Sequence, residues 1–273
     1  MTRAMNIVPP RGGRILLAIL PFLVIALVYV IGSAERRAAN PNDKLLPPVS
    51  EMVATTQRLA AEPDRRSGEY VLWVDTAASL QRLVLGLGIS AAVGLVLGLA
   101  IGLLPVAGAG LGTLIAVLSM IPPMAVLPIL FIVFGLGELS KVMLIIIGVT
   151  PMLIRDLALE VSAMPREQLI KAQTLGGSTW QIAIRVVLPQ IMPRLIKCVR
   201  LMIGPAFLFL ISAEAIASDV GLGYRIFLVR RYLSMDVILP YVAWITLLAY
   251  LFDLALVHLG RKAFPWAFVQ EPR

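Results

Sequence analysis

Residues 164–193 read MPREQLIKAQTLGGSTWQIAIRVVLPQIMP, a polar and basic stretch between two long apolar runs. Pro165 suits a first helical position, and Arg166 to Leu175 then reads as one short helix. Gly176-Gly177 breaks that helix. Ser178 and Gln181 have the spacing of a capping box and start a second helix, which Pro189 is expected to stop. A helix–Gly–helix elbow between two apolar runs is an exposed knob on a membrane protein.

The bulk composition points the same way. Of 273 residues, 59% are hydrophobic and 15% charged, with a mean hydropathy of +0.89; a soluble domain is nearer about 45–50% apolar. Several apolar runs reach the ~18–20 residues that cross a bilayer. They are continuous, not alternating, which favours helices over a β-barrel. The fold class is therefore all-α, a polytopic membrane protein of about six spans. The formal net charge is +8, but the basic residues gather where a cytoplasmic face is expected, so no nucleic-acid partner is implied. A lone Cys198 excludes an internal disulfide. His258 is also alone and reads as a packed or interfacial histidine, since no Cys/His cluster accompanies it to make a metal site.

In chain order, residues 1–14 carry Arg3, Arg11 and Arg14 without an acid and are expected in the cytoplasm. Ile15 to Ile31 follows as a retained first span within 15–32, because no small-residue cleavage site is evident. Residues 33–76 nearly balance their charges, Arg65 and Arg66 included, as an external (periplasmic) loop should. Within this loop a helix capped by Ser50 puts Met52, Val53, Thr56 and Leu59 on one side. It is expected along the outer membrane surface, or as a plain loop helix. A membrane-embedded core of 77–260 comes next, with the cytoplasmic loop 160–193 inside it, and 261–273 closes the chain as a basic cytoplasmic tail.

The second span, Ala77 to Leu104, repeats Gly86, Ser90, Gly94, Gly98 and Gly102 at every fourth position, a smooth face for close helix packing. Arg82 near its outer end is expected to snorkel to the interface. Pro105 to Gly110 reads as a short inside turn. The third span, Leu111 to Phe134, contains Pro122, Pro123 and Pro128 and should be bent or locally unwound. Irregular backbone at that depth needs protein or a cavity over it. GLGE, Gly135 to Glu138, makes an outside turn. Leu139 to Ile154, about Leu195 to Ala217, and Val237 to Leu259 complete the spans. Around the elbow Arg155, Arg166, Lys171, Arg185, Arg194, Lys197 and Arg200 outnumber Asp156, Glu160 and Glu167, which puts the elbow in the cytoplasm. Arg225, Arg230 and Arg231 on the outer side read as a solvated face or a contact for a docking protein.

The elbow resembles the cytoplasmic EAA loop of bacterial ABC importer permeases, whose pattern is Glu-Ala-Ala, three residues, Gly, nine residues, Ile-x-Leu-Pro. Gly176 takes the place of the Gly, Ala172 of the last Ala and Leu188-Pro189 of the Leu-Pro, with Val186 for Ile; Ile170 and Lys171 depart from Glu and the first Ala. SLQRLVLG from Ser79, SMIPPMAVLPILFIVFGLGE from Ser119 and AEAIASDVGLGYRI from Ala213 are similar to the nitrate/sulfonate/taurine subgroup, so the likeness covers nearly the whole chain. It implies a homodimer, two separate ABC ATPase subunits that bind ATP and magnesium, a periplasmic substrate-binding protein, and a small polar solute as cargo. It also implies ATPase contacts at Arg166, Gln168, Lys171, Ala172, Thr174 and Leu175 on the first elbow helix, at Gly176, Ser178 and Trp180 beyond it, and at Leu188 and Pro189 on the exit. The broken third helix of such permeases helps line the path, which places Met120, Pro123 and Pro128 near it.

Catalytic residues are not expected. There is no Walker A loop to cradle phosphates, and the lone GLG at Gly221–Gly223 follows no strand, so a Rossmann reading fails. The chain is expected to be a transport subunit with no cofactor of its own. Glu214 and Asp253 are intramembrane acids and hence pathway candidates. If both face a cavity, a guanidinium- or urea-like cargo suits them better than a sulfonate; an inward Arg82 favours an anion. An ion-coupled secondary transporter is the reading from another class, but it leaves the elbow without a purpose and calls for an internal repeat that the halves lack.

Overall fold

The computed structural model describes residues 10–40, 43–64 and 68–267. The expectations on Arg3, Arg65, Arg66 and the last six residues of the tail lie outside these. Among the described residues every regular element is a helix. In chain order they are α1 (Arg11–Ala39), α2 (Val49–Ala61), α3 (Val71–Leu103), α4 (Pro105–Leu118), α5 (Pro123–Phe134), α6 (Glu138–Ser162), α7 (Arg166–Thr174), α8 (Thr179–Ile182), α9 (Leu188–Ala217), α10 (Leu222–Arg230) and α11 (Met235–Ala263). A π turn, Ala183–Val187, joins α8 to α9, so Thr179–Ala217 runs as one long helix. Among the described residues five helices are long and apolar enough to span a bilayer, or six when the pair α4–α5 counts as one.

The small-residue stripe of α3 sets the packing. A Cβ added at Gly86 would lie 2.7 Å from Ile145 Cγ2, at Gly94 2.9 Å from Leu153 Cβ, at Gly98 2.7 Å from Leu157 Cβ and at Gly102 2.5 Å from Val161 Cβ. The partners advance along α6 in step with the glycines, so α3 and α6 run parallel with their backbones close together. Parallel neighbours need a returning crossover, which α4 and α5 supply as a pair bent by 95° around residues 119–122. The expected bend at Pro122-Pro123 is there. The turn expected over Pro105 to Gly110 is absent, because Pro105 is tolerated at a first helical position and starts α4. Gly98→Leu should overpack this seam and cost about 1–3 kcal/mol. Gly88→Leu, with nothing within 4 Å of the added Cβ, should stay within about 0.5 kcal/mol. Melting of the two variants in detergent checks the pair; equal melting would remove the seam from the account.

Two other expectations change. Ser50 does not cap α2: that position belongs to Pro48, whose side chain makes no cap bond, and the helix starts at Val49. On the side of α2 named from the sequence, Met52, Thr56 and Leu59 are half-buried and Val53 is exposed, and two hydrogen bonds tie the helix to its neighbours. Thr55 Oγ1 donates to Asp236 at 3.0 Å, and Trp73 Nε1 donates to the Ala60 carbonyl at 3.1 Å. Asp75 and Thr76, read as loop, sit buried in the first turns of α3. The long apolar window of α1 buries nothing inside the chain. Tyr29 Oη and Ser33 Oγ tie α1 to the carbonyls of Pro47 and Leu46, at 2.6 and 2.9 Å.

Candidate functional site

Two polar constructions stand at opposite ends of α6, separated by its length of about 37 Å at the usual helical rise. At the end reached by the C-terminus of α6 is the elbow. Pro165 takes the N-cap position of α7, one place earlier than expected, and Leu175 caps its end. Gly176 has φ +81°; its N–H donates to Gln173 O at 2.9 Å and the Gly177 N–H to Ala172 O at 3.0 Å. This is the Schellman close of a helix, with a left-handed C′ residue that favours glycine. Gly177 is also confined, since a Cβ there would lie 2.8 Å from Ala172 O. The capping box is formed: Ser178 N donates to Gln181 Oε1 at 2.9 Å, and Gln181 N to Ser178 Oγ at 3.3 Å.

Pro189 does not end the second helix. The Leu188 N–H reaches Ala183 O across the π turn, which shifts the ladder by one residue just before Pro189 and lets the helix run on through it. The elbow thus has two faces. Ile182, Ala183 and Val187 are buried, and Met164, Leu169, Ala172 and Val186 pack partly against the core. The outer face leaves Leu175 88% and Trp180 73% exposed. Arg166, Gln168, Lys171, Thr174 and Ser178 are exposed around them, with Pro189 exposed and Leu188 half-buried on the exit. Two large apolar side chains held out from a polar, rigidly capped frame have the makings of a contact surface.

At the other end α3, α6, α9, α10 and α11 meet in a buried ionic network. Glu214, fully buried, accepts from Arg82 Nη1 at 2.6 Å, Ser79 Oγ at 2.7 Å and the Gly223 N–H at 2.8 Å. Arg82 also grips Glu138, with Nη2 to Oε1 at 2.7 Å, and donates to Val220 O at 2.9 Å. It does not snorkel; it is 5% exposed. Glu138 accepts further from Lys141 at 2.8 Å. Asp75, fully buried, accepts from Arg225 Nε at 2.8 Å, the Gly221 N–H at 3.0 Å and Tyr241 Oη at 3.1 Å. The first N–H groups of α10, otherwise orphaned, are met by Asp75, Ser79 and Glu214, and the two carboxylates among them suit that helix end. Gly221 has φ +138°, and a Cβ there would lie 2.6 Å from Glu214 Cδ. The GLG is thus a packing requirement around a carboxylate. Burial works to lower the Arg225 pKa, but the hydrogen bond and charge of Asp75 outweigh it and hold the guanidinium above its ordinary value.

The remaining candidates lie apart. Asp253 forms a two-pronged pair with Arg200, at 2.7 and 3.0 Å, deeper along α11. Met120 is exposed at the α4–α5 bend, Pro123 half-buried at the start of α5, and Pro128 exposed within it. Arg230 and Arg231 are exposed, with the Arg230 guanidinium 4.9 Å from the Phe227 ring centroid. Sequence reasoning missed Asp75, Ser79, Glu138, Lys141 and Tyr241 as a set; the quoted stretches from Ser79 and Ala213 contained the signal, but only the fold joins them. Among the described residues no group of three His, Cys, Asp or Glu could hold a metal.

Residues 78–264, which include the elbow and all of the network except Asp75, match the family described as binding-protein-dependent transport system inner membrane component. The taurine transport system permease protein TauC of Escherichia coli is 34% identical over 198 residues, 72% of each chain. The nitrate import permease protein NrtB of Synechococcus elongatus is 27% identical, covering 76% of this chain and 75% of its own. The putative aliphatic sulfonates transport permease protein SsuC of Bacillus subtilis is 27% identical, with 91% and 86% covered. Among solved structures, an inward-facing conformation of the MetNI methionine ABC transporter has a chain of the same fold, with a TM-score of 0.60 at 17% identity, over 73% of this chain and 99% of that one.

Proposed function

The chain belongs to the family of binding-protein-dependent transport inner membrane components, as an ABC importer permease subunit, and we propose that it moves a small polar solute of the nitrate, sulfonate and taurine class. ATP is hydrolysed on separate ATPase subunits, which hold the nucleotide and its magnesium. They grip the elbow of residues 164–193, and two permease copies enclose the pathway. The N- and C-termini and the elbow face the cytoplasm, while a periplasmic binding protein delivers cargo to the end that carries the ionic network.

The observation that carries the coupling role is the outer face of the elbow, Leu175 and Trp180, on a doubly capped frame. Thr179–Ala217 then runs as one helix from this face to Glu214 at the other end, so a push on the elbow is a push on a lever. The two ATPase states must contact the elbow differently for that lever to shift an equilibrium. On the cargo, Glu214 and Asp253 each have an arginine at hydrogen-bonding distance. Neither offers an unpaired charge to a cation, which weighs against a guanidinium-like cargo and supports the class of the relatives.

The test is ATP hydrolysis by the chain co-expressed with its ATPase in lipid, as the binding protein is titrated with taurine, an alkanesulfonate, nitrate, guanidinium or urea. Stimulation confined to the first three is expected. Guanidinium or urea as the stimulating ligand would overturn the cargo class, and transport of any of them without an ATPase would overturn the coupling.

A further inference from the structure

One cavity outside both constructions carries opposite charges on its two walls. It has a volume of about 390 Å3 and lies between the end of α6 and the first half of α9. Asp156 and Glu160 stand on the α6 wall, Arg194 and Lys197 on the α9 wall. Arg194 Nε lies 3.4 Å from the Glu160 carboxylate, a long pair with both side chains open to the surroundings. Lys197 is engaged as well, and a ligand here would substitute for the Arg194–Glu160 pairing across the cleft. Leu201, one turn further along α9, is on the cavity wall and 71% exposed.

The depth of this cavity follows from helix geometry. Asp156 comes eighteen positions after Glu138 on one helix, about 27 Å. Lys197 precedes Glu214 by a similar length of α9. The hydrocarbon core of a bilayer is about 30 Å thick. With the Glu138–Arg82–Glu214 network at one headgroup layer, the four charges fall at the other, on the elbow's side, and Leu201 points the way into the acyl region.

Carboxylates facing cations across a gap are complementary to a zwitterion. We propose that this cavity binds the headgroup of phosphatidylethanolamine, with its ammonium against Asp156 and Glu160, its phosphate against Arg194 and Lys197, and an acyl chain along Leu201. A primary ammonium donates hydrogen bonds to both carboxylates, whereas a choline headgroup has no N–H to donate. A glycerol headgroup brings no cation to the α6 wall. The same charges fit free phosphoethanolamine, but the exposed Leu201 favours the lipid.

The test uses the full-length chain in nanodiscs holding equal amounts of phosphatidylethanolamine and phosphatidylcholine with the same acyl chains, with retained lipid read by native mass spectrometry. Retention of phosphatidylethanolamine is expected to exceed that of phosphatidylcholine about tenfold, the scale of one charge-assisted hydrogen bond. Mono- and dimethylated headgroups should fall in order between them. That series needs no variant and stands even if a substitution unfolds the chain. The double variant Asp156→Asn/Glu160→Gln should bring the preference to near parity, and Arg194→Gln should weaken retention of both lipids. Equal retention of the two lipids by the wild-type chain would overturn the proposal. Displacement of the lipid by an equal concentration of free phosphoethanolamine would overturn the lipid as the ligand. Retention is read without ATP or cargo, so it stands or falls apart from the transport reading.

Discussion

Arg82→Met is expected to be among the most destabilising single changes in the chain. The substitution keeps the apolar stem but leaves Glu214, fully buried, with only Ser79 and a backbone N–H as donors. Removing one partner of a buried pair costs about 3–5 kcal/mol, because an uncompensated charge remains inside. Arg82 is doubly placed, since Glu138 and the Val220 carbonyl also lose a donor. Arg82→Lys should rescue little: an ammonium is a point charge and does not reproduce the guanidinium fork that reaches Glu138 and Glu214 together. The double variant Arg82→Met/Glu214→Gln should cost clearly less than the two single changes added, since it removes the stranded charge. Unfolding in detergent, followed by helical signal, measures all four. If Arg82→Met unfolds with the wild type, the network does not hold α10 against α3, and the role given to Glu214 falls with it.

That network also marks where sequence reading stops. The elbow was legible because its determinants are local: a Gly pair, a Ser and a Gln three apart, and an apolar run on either side. The packing stripe of α3 was legible for the same reason, since a period of four residues on one helix is visible without its partner. Arg82 was not, because the acid that neutralises it is on α9 and a second one on α6. Asp75 counted as a loop charge until Arg225 and Tyr241 closed over it from α10 and α11. Asp253 shows its charge in the sequence but not the Arg200 fork that pairs it. The Pro189 error is of another kind. Proline forbids a donor, but a π turn just upstream shifts the register of the ladder and lets the helix continue. Spacing alone carries no sign of that.

The second large effect is expected on assembly rather than on folding. Leu175→Asp combined with Trp180→Ala removes the apolar outer face of the elbow, and both side chains are mostly exposed in the chain itself. Leu175 closes α7 through its backbone N–H, which aspartate keeps, and an acid at that helix end costs about 1 kcal/mol or less, so the variant should insert and unfold nearly like the wild type. If the elbow is the grip for the ATPase, these two residues are the anchors of the contact, and losing central anchors costs about 2 kcal/mol or more. That is a fall in affinity of roughly 30-fold or greater. Co-purification of the ATPase with the variant, and ligand-stimulated ATP hydrolysis of whatever complex remains, read the result. Gly176→Pro is the companion change with a different cause. Proline holds φ near −65°, against the +81° found here, and removes the N–H that closes α7 on Gln173; it should deform the frame and lose the contact indirectly. The two variants separate surface from scaffold. Loss in both is the outcome expected of a rigid knob that presents an apolar face. Loss only with Gly176→Pro would mean the ATPase reads the polar rim of Arg166, Lys171 and Ser178 instead. Full retention in both would take the coupling contact away from the elbow altogether.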